Sequence, residues 1–506
     1  MEFITRPKSK IFKEKIIINF DRTFINDLYT TLRFTNKLMK IKFCGATRTV
    51  TGSCHLLTLD SGFKILLDCG LYQGYDDDYD RFNSTWEFDP ITVDLLVVSH
   101  GHIDHIGRIP KLVKDGFKGN IICTHATRDI SAIMLLDCAS IQERDSEWRN
   151  EKNRGKKAAT TEPLYTIEDA KICMNNFTSY NYDRWNIIAP GVEVYFADAG
   201  HILGSASVTL KITREDGRIT HFGFTGDVGR WDRPIIKDPE FMHQADYMIS
   251  ESTYGGMLHD EMPGDMNALL NIVNDTCVNK RGKIIIPAFS LGRTQEIVYM
   301  LDKLEFAGKL PKIPVYVDSP LAVNATDIFT MHHECFDSEI QTYMSHDPNP
   351  FGFNKLTYIR SVEESKALND KKEPCIIISA SGMANAGRIR HHIFNNIEDA
   401  DNTILIVGYC SEGTLGARLR EYPITIKLFG KELRVRANIK IMDSLSGHAD
   451  QNELLKFLDN QDRKQLKKMF LVHGEYEKQL KLQGALKGAG FSNIIIPELG
   501  NEFELE

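Results

Sequence analysis

Paired cysteines are missing from this sequence. Its ten cysteines, at 44, 54, 69, 123, 138, 173, 277, 335, 375 and 410, form no Cys-x-x-Cys pair and no regular spacing. That excludes a disulfide-stapled scaffold and leaves buried thiols in a reducing compartment. Long apolar runs are missing too, since none approaches the roughly 18 residues of a membrane span. The opening stretch MEFITRPKSKIFKEK is charged and lacks the apolar centre of a signal peptide. A cytoplasmic protein with no membrane partner is therefore expected. An excess of positive charge is also absent: 61 Lys and Arg stand against 69 Asp and Glu, a formal net charge of −8. The chain as a whole thus carries no electrostatic footprint for nucleic acid and leaves only local basic surface for such a partner. Neither internal repeats nor low-complexity segments occur.

The chain does have length. Its 506 residues exceed the roughly 250 to 300 that one core serves, so two domains are expected. With 42% hydrophobic and 26% charged residues, the composition is that of a soluble globular protein. The most informative stretch is DLLVVSHGHIDHIGRIP, residues 94–110, where His100, His102, Asp104 and His105 directly follow an apolar, β-branched run. Alternate residues in an extended or tightly turning segment point the same way. His100 and His102 therefore converge, while Asp104 and His105 turn towards a neighbouring point. An ordinary polar turn needs no such spacing. Neutral imidazole and carboxylate are the donors that zinc takes at about 2.0–2.2 Å.

Other segments supply further donors. KIKFCGATRTVTGSCHLLTLDSGFKILLDCG predicts short antiparallel strands, the last ending at Asp68. GVEVYFADAGHILGSASVTLKI and GRITHFGFTGDVGR repeat a strand followed by a glycine-rich turn, each turn carrying one candidate ligand, His201 and Asp227. From about Gly255 to Ser411, runs such as KIIIPAFS and PCIIISAS alternate with helix-length stretches, which predicts β-α-β units and a parallel sheet. Ser290, Ser319 and Ser381 fall at the carboxyl ends of its strands, where doubly wound sheets place their binding crevice. The last part returns to strands followed by histidine turns, at His448 and His473.

In order along the chain, SHGHIDH, SESTYG, PAFSLGRTQE, DSPLA, SGMANAGR, GYCSEGTLG, SGHAD and VHGE resemble the metallo-β-lactamase fold with a β-CASP insertion. This group of nucleic-acid hydrolases includes ribonuclease J and the cleavage endonuclease of eukaryotic polyadenylation complexes, and the order is similar to that of its prokaryotic ribonuclease type. SHGHIDH alone would mark only the broad superfamily, thioester and lactam hydrolases included. The resemblance runs from about Lys40 to the C-terminus and leaves the N-terminal arm outside it. It implies an α/β protein, an αββα sandwich interrupted by an α/β parallel-sheet domain. The expected divisions are an N-terminal extension at 1–39, the first part of the sandwich at 40–252, the insertion at 253–420, and a segment at 421–506 that completes the sandwich.

The same resemblance implies site roles. One zinc would take His100, His102 and His201, a second would take Asp104, His105 and His473, and Asp227 would bridge them. Five imidazoles and two carboxylates suit a two-metal site, with Zn2+ favoured by the imidazoles and Mn2+ the weaker alternative. Asp68 would orient ligands or bound water. Glu251 and His448 match the first two β-CASP motifs, as a couple that holds His448 protonated against a phosphate. A hydroxide bridging the ions, oriented by Asp104, would attack phosphorus and leave 5′-phosphate and 3′-hydroxyl ends. Histidine at 473 resembles the RNA-acting branch, whereas the DNA-acting branch typically has valine. Single-stranded RNA is thus the expected substrate, cut endonucleolytically, with 5′–3′ exonucleolytic cutting or DNA cleavage as the alternatives. A small-molecule hydrolase would not need an insertion of some 160 residues, and the filled ligand positions argue against a non-catalytic subunit.

Arg293, Ser381, Gly382, Met383 and Arg388 lie near helix starts in the insertion and are the expected RNA contacts, although glycine turns of this kind also serve packing. His391 and His392 have no place in the metal set, and EGTLG reads as a packing turn. A homodimer is compatible with the sequence.

Overall fold

The structure, a computed structural model, describes residues 38–74, 79–154, 160–259, 265–408, 410, 413–442 and 446–506. Apart from its last two residues, the expected N-terminal extension with its basic stretch Arg6 to Lys15 lies outside the described residues.

Strand Leu95–Val97 shows how the sequence builds the layers. All three side chains are buried, and the two-residue period sends Leu95 and Val97 into one core and Leu96 into another. The first core lies between two seven-stranded sheets. One sheet runs in the order Glu502–Leu505, Met39–Phe43, His55–Thr58, Lys64–Leu67, Leu95–Val97, Asn120–Thr124, Phe177–Tyr180. The other runs Ile494–Ile495, Lys468–Leu471, Tyr247–Ser250, Ile219–Phe224, Ala206–Thr213, Val192–Asp198, Asn186–Ala189. Ile41, Leu57 and Val97 of the first meet Phe196, Val208 and Phe470 of the second. Helices cover the outer faces. Leu135 and Ala139 of the long helix His125–Lys152 pack on the first sheet, and Leu454 and Leu482, from helices Gln451–Leu458 and Tyr476–Gly488, pack on the second. This is the expected αββα sandwich. The last segment closes both sheets, as Lys468–Leu471 runs parallel to Tyr247–Ser250 and Glu502–Leu505 antiparallel to Met39–Phe43.

The insertion is built on a six-stranded sheet ordered Leu356–Ile359, Val315–Asp318, Ile376–Ser379, Ile284–Pro287, Thr403–Val407, Asn438–Met442, parallel throughout. Ile284 and Ile286 enter one core and Ile285 the other. A strand covered on both faces has no solvent side, so it reads as an unbroken apolar run. Strand pairing continues past residue 420. Asn438–Met442 is the sheet's edge strand, and the hairpin of Thr425–Leu428 and Lys431–Arg434 puts Ile426, Leu428 and Leu433 into the same core. The edge strand is only half covered, so its sequence pattern matches the half-buried strands of the sandwich. Among the described residues, no helix is long and apolar enough to cross a membrane.

The sandwich and the insertion touch along helix His125–Lys152, where His332 reaches from the insertion. Its Nε2 lies 3.0 Å from Asp129 Oδ2 and its Nδ1 2.7 Å from Glu334 Oε1. The bond to Asp129 leads the causes that raise the His332 pKa above the usual imidazole value, outweighing burial. A histidine whose folded pKa exceeds its unfolded one contributes stability below the unfolded value and loses it as pH rises through the folded value. His332→Gln should therefore lower the apparent Tm by roughly 1–3 °C at pH 6 and by progressively less towards pH 9, as read by thermal denaturation across that range. A loss independent of pH would contradict the charged contact.

Candidate metal centre

The candidate ligands sit just past the carboxyl ends of strands. Asp68 follows Lys64–Leu67, His100 follows Leu95–Val97, His201 follows Val192–Asp198, Asp227 follows Ile219–Phe224, and His473 follows Lys468–Leu471. After His100 the chain tightens into the one-turn helix Ile103–Ile106, with His102 at its N-cap. That turn carries Asp104 and His105 to a second point. Gly70 passes so close to it that a Cβ would stand 1.6 Å from the Asp104 carbonyl oxygen, an approach only glycine permits. Asp68 and His473 have φ of 56° and 51°, a sparsely populated region that aspartate and histidine enter more readily than most residues.

Two groups of side chains converge here: His100, His102 and His201 with Asp227, and Asp104 and His105 with His473. His102 Nδ1 lies 3.1 Å from His100 Nε2 and 3.2 Å from His201 Nε2. In the second group, His473 Nε2 lies 3.3 Å from His105 Nε2 and 3.4 Å from Asp104 Oδ2. Asp227 stands between them, its Oδ2 at 3.5 Å from His100 Nε2, 3.3 Å from His105 Nε2 and 3.7 Å from His201 Nε2. His473 Nδ1 is 3.4 Å from Asp227 Oδ1.

These residues fit divalent metal. Two ligands held about 2.0–2.1 Å from one tetrahedral ion stand about 3.3 Å apart, close to the spacings found. Burial, the largest cause in each case, lowers the pKa of His100 and His201 well below the usual imidazole value and brings His102 to about 4. Those three rings therefore offer lone pairs. Asp227 Oδ1 is buried and accepts no hydrogen bond from any described residue, a costly state that a cation relieves. Burial would raise the Asp227 pKa, but His473, His105 and His100 outweigh it and hold the carboxyl well below its usual range.

The far side of nearly every ring is also held, as metal-binding histidines require. His105 Nδ1 lies 2.6 Å from Asp68 Oδ2. Asp68 is fully buried and accepts from the Ser99 amide at 2.8 Å, the Ser99 hydroxyl at 2.9 Å and the Ser53 hydroxyl at 3.1 Å. His100 Nδ1 meets Ser99 Oγ at 3.1 Å, His201 Nδ1 the Gly447 carbonyl at 3.0 Å, and His473 Nδ1 Thr253 Oγ1 at 3.1 Å. For His105, burial is outweighed by Asp227 and Asp68, which raise its pKa well above the ordinary value.

Beside this cluster, His448 Nδ1 lies 3.4 Å from Glu251 and 3.9 Å from Asp227 Oδ2. Glu251 is buried, and its oxygens already accept the Val228 amide at 2.5 Å and the Thr253 amide at 3.3 Å. Those bonds fit an anchored counter-charge better than a metal ligand. Burial would lower the His448 pKa, but Glu251, with help from Asp227 and Asp104, raises it.

A cleft of about 1010 Å³ is lined by His102, Ser290, Ser319, Ser381 and Arg388 among others, the strand-end crevice expected of a doubly wound sheet. Ser381 and Arg388 line it, and Arg388 Nη1 bonds Asp318 Oδ1 at 2.7 Å. A Cβ on Gly382 would stand 2.6 Å from the Phe289 ring, and the Met383 carbonyl accepts the Gly416 amide at 2.9 Å. Of the EGTLG segment, Glu412 lies outside the described residues. Arg293 is buried and its guanidinium is taken by Glu296, so the expectation that it meets RNA is not supported. His392 is buried against Asp318 at 2.6 Å, whereas His391 lines the cleft. Sequence reasoning did not find Ser53, Ser99, Thr253 or Arg233. Arg233 donates to the His201 and Gly447 carbonyls at 3.2 and 3.0 Å and pairs with Glu296. Only Ser99, adjoining His100 at a strand end, carried a positional signal.

Asp68→Asn keeps the size of this side chain and removes its charge. Affinity for a divalent cation should fall about 10- to 100-fold, read by competition with a chromophoric chelator. Unchanged affinity would show that the Asp68–His105 bond does not support the cluster.

Three family descriptions match successive parts of the chain: the metallo-beta-lactamase superfamily at 47–158, the Beta-Casp domain at 294–419, and the Zn-dependent metallo-hydrolase RNA specificity domain at 432–497. A ribonuclease of Thermus thermophilus is 34% identical over 444 residues, 88% of this chain and 95% of that protein. An RNase J-like protein of Methanocaldococcus jannaschii is 31% identical over 87% of this chain and 93% of its own length. Cleavage and polyadenylation specificity factor 73 of Drosophila melanogaster is 30% identical over 89% of this chain and 62% of its own length. A crystal structure of an Enterococcus faecalis protein of unknown function shares the fold at a TM-score of 0.50 and 12% identity, covering 92% of this chain and all of that one. With relatives of this identity matched over nearly their whole length, the chain belongs to the β-CASP family of the metallo-β-lactamase superfamily and is a metal-dependent hydrolase.

Proposed function

We propose that the protein is a zinc-dependent endoribonuclease that cuts single-stranded RNA and leaves 5′-phosphate and 3′-hydroxyl ends. The observation that carries this reading is that the His/Asp cluster borders, through His102, a cleft whose lining from the insertion includes Arg388 and Arg390. Cationic side chains along a groove suit a phosphate backbone, and the named ribonuclease relative supports RNA as the substrate.

His100, His102 and His201 would hold one ion, Asp104, His105 and His473 the other, and Asp227 would lie between them. When bound, such ions acidify water near neutral pH and neutralise charge that builds on the phosphoryl oxygens. Asp104, the least enclosed carboxylate of the cluster, orients the attacking water. Ser381 and Arg388 hold the strand so that the scissile phosphate reaches His102 along the cleft. His448 keeps its Nδ1 towards Glu251, which leaves Nε2 to deliver a proton. As water adds to phosphorus and the bond to the 3′-oxygen breaks, His448 protonates that oxygen. Ten free cysteines agree with work in a reducing cytoplasm.

His448→Ala should lower the single-turnover rate on RNA by about two to four orders of magnitude, while metal content and RNA affinity stay near those of the unaltered protein. Glu251→Gln should produce a smaller fall in the same direction. Loss of a metal ion in His448→Ala would make it a ligand and contradict its role as acid. A circularised RNA should be cut, with 5′-phosphate on the new end; a circle left intact beside a degraded linear 5′-monophosphate RNA would replace endonucleolytic with exonucleolytic action.

A further inference from the structure

Arg390, His391 and Phe429 also line the cleft that His102 borders. Phe429 and Gly430 are the two-residue loop of the hairpin, with Leu428 paired to Lys431 across it. Their φ angles are 50° and 77°, both in the left-handed region that a tight hairpin of this length requires. Asn, Asp or Gly normally fills the first of these positions, and a bulky side chain there meets a steric penalty. Burial does not explain the choice, because Phe429 stays 46% exposed.

What the ring does is build a stack. His391 lies against it with centroids 4.6 Å apart and planes inclined by 22°, and the Arg390 guanidinium carbon lies 4.8 Å from its centroid. Phe394 supports it edge-on at 5.6 Å, with the Lys431 ammonium 5.6 Å from the Phe394 centroid. On the same wall Lys366, Arg388 and Arg390 face the cleft with Asp318 as the acid among them. Asp318 is already engaged by Arg388, His392 and Ser365. The acids Asp137 and Asp145, which also line the cleft, belong to the sandwich helix.

We propose that this stack is a base-stacking station for single-stranded RNA. An unpaired nucleobase extends the rings of His391 and Phe429, and Arg390 and Lys366 take the adjoining phosphates, in the same cleft that His102 borders. The inference rests on the ribonuclease reading and adds where the strand is gripped. Every base has a π-face, so such a station gives affinity without fixing sequence.

The test uses the full chain and two single-stranded RNAs that share one cleavage site, one long enough to fill the cleft and one trimmed to the few nucleotides around the cut. Phe429→Asn removes the ring and keeps a residue that the turn accepts; Phe429→Trp restores an aromatic face. For the long RNA, Phe429→Asn should raise KM roughly 5- to 100-fold, the loss of one base–aromatic stack, with kcat nearly unchanged and Phe429→Trp close to the unaltered protein. Cutting of the short RNA should not change. An unchanged KM on the long RNA, or an equal loss on both lengths, overturns the station. If the unaltered protein cuts neither RNA, the ribonuclease reading falls and the station with it; normal cutting of both by Phe429→Asn removes the station alone.

Discussion

The Asp227 carboxylate is buried where almost no water reaches it, with Oδ2 facing three imidazole nitrogens and Oδ1 accepting no hydrogen bond from any described residue. The rest of the structure is arranged around that charge. An isolated buried carboxylate is costly, and here the compensation comes from histidines on three separate stretches of chain, at 100–105, 201 and 473. Without metal the burden is shared unevenly: His105 is pushed towards its charged form, while burial drives His100, His102 and His201 towards their neutral forms. Divalent cations satisfy both needs at once, since they neutralise the carboxylate and use the free lone pairs.

This convergence requires the split construction. His473 reaches Asp227 because Lys468–Leu471 lies beside Tyr247–Ser250 in one sheet, so the chain must leave the sandwich, build the insertion and return. The insertion is tied to the centre it interrupts. Arg233 bonds the carbonyls of His201 and Gly447 and pairs with Glu296, which also holds Arg293 on the insertion helix. The cleft wall that would grip a strand and the loops that carry two site histidines therefore share one buried network.

Much of this was legible in the sequence. His100, His102, Asp104 and His105 fall in six consecutive positions after an apolar run, and His201, Asp227 and His473 repeat the rhythm of strand, turn and donor. Such donors are readable because a strand end fixes where they point. The unread residues have no such frame. Ser53 and Thr253 act through bonds to partners distant in sequence, and serine and threonine are too common in turns to stand out. A position at a helix start does not say which neighbour claims the side chain, and Arg293 is paired with Glu296, one turn on. Where the insertion ends is hard to read because an edge strand with alternating exposure looks the same in either domain. Phe429 left no signal at all, since FG within a hairpin suggests a turn and not a ring that lines a cleft.

The central claim is that Asp227 lies between two metal ions held by the six other ligands. Crystals of the protein purified without chelator, measured above and below the zinc absorption edge, test it most directly. The account predicts two anomalous peaks flanking Asp227, one about 2.0–2.2 Å from ligand atoms of His100, His102 and His201 and the other equally close to Asp104, His105 and His473. A single peak held by Asp227, Glu251 and His448, or metal-loaded protein in which Asp227 touches neither ion, would contradict it.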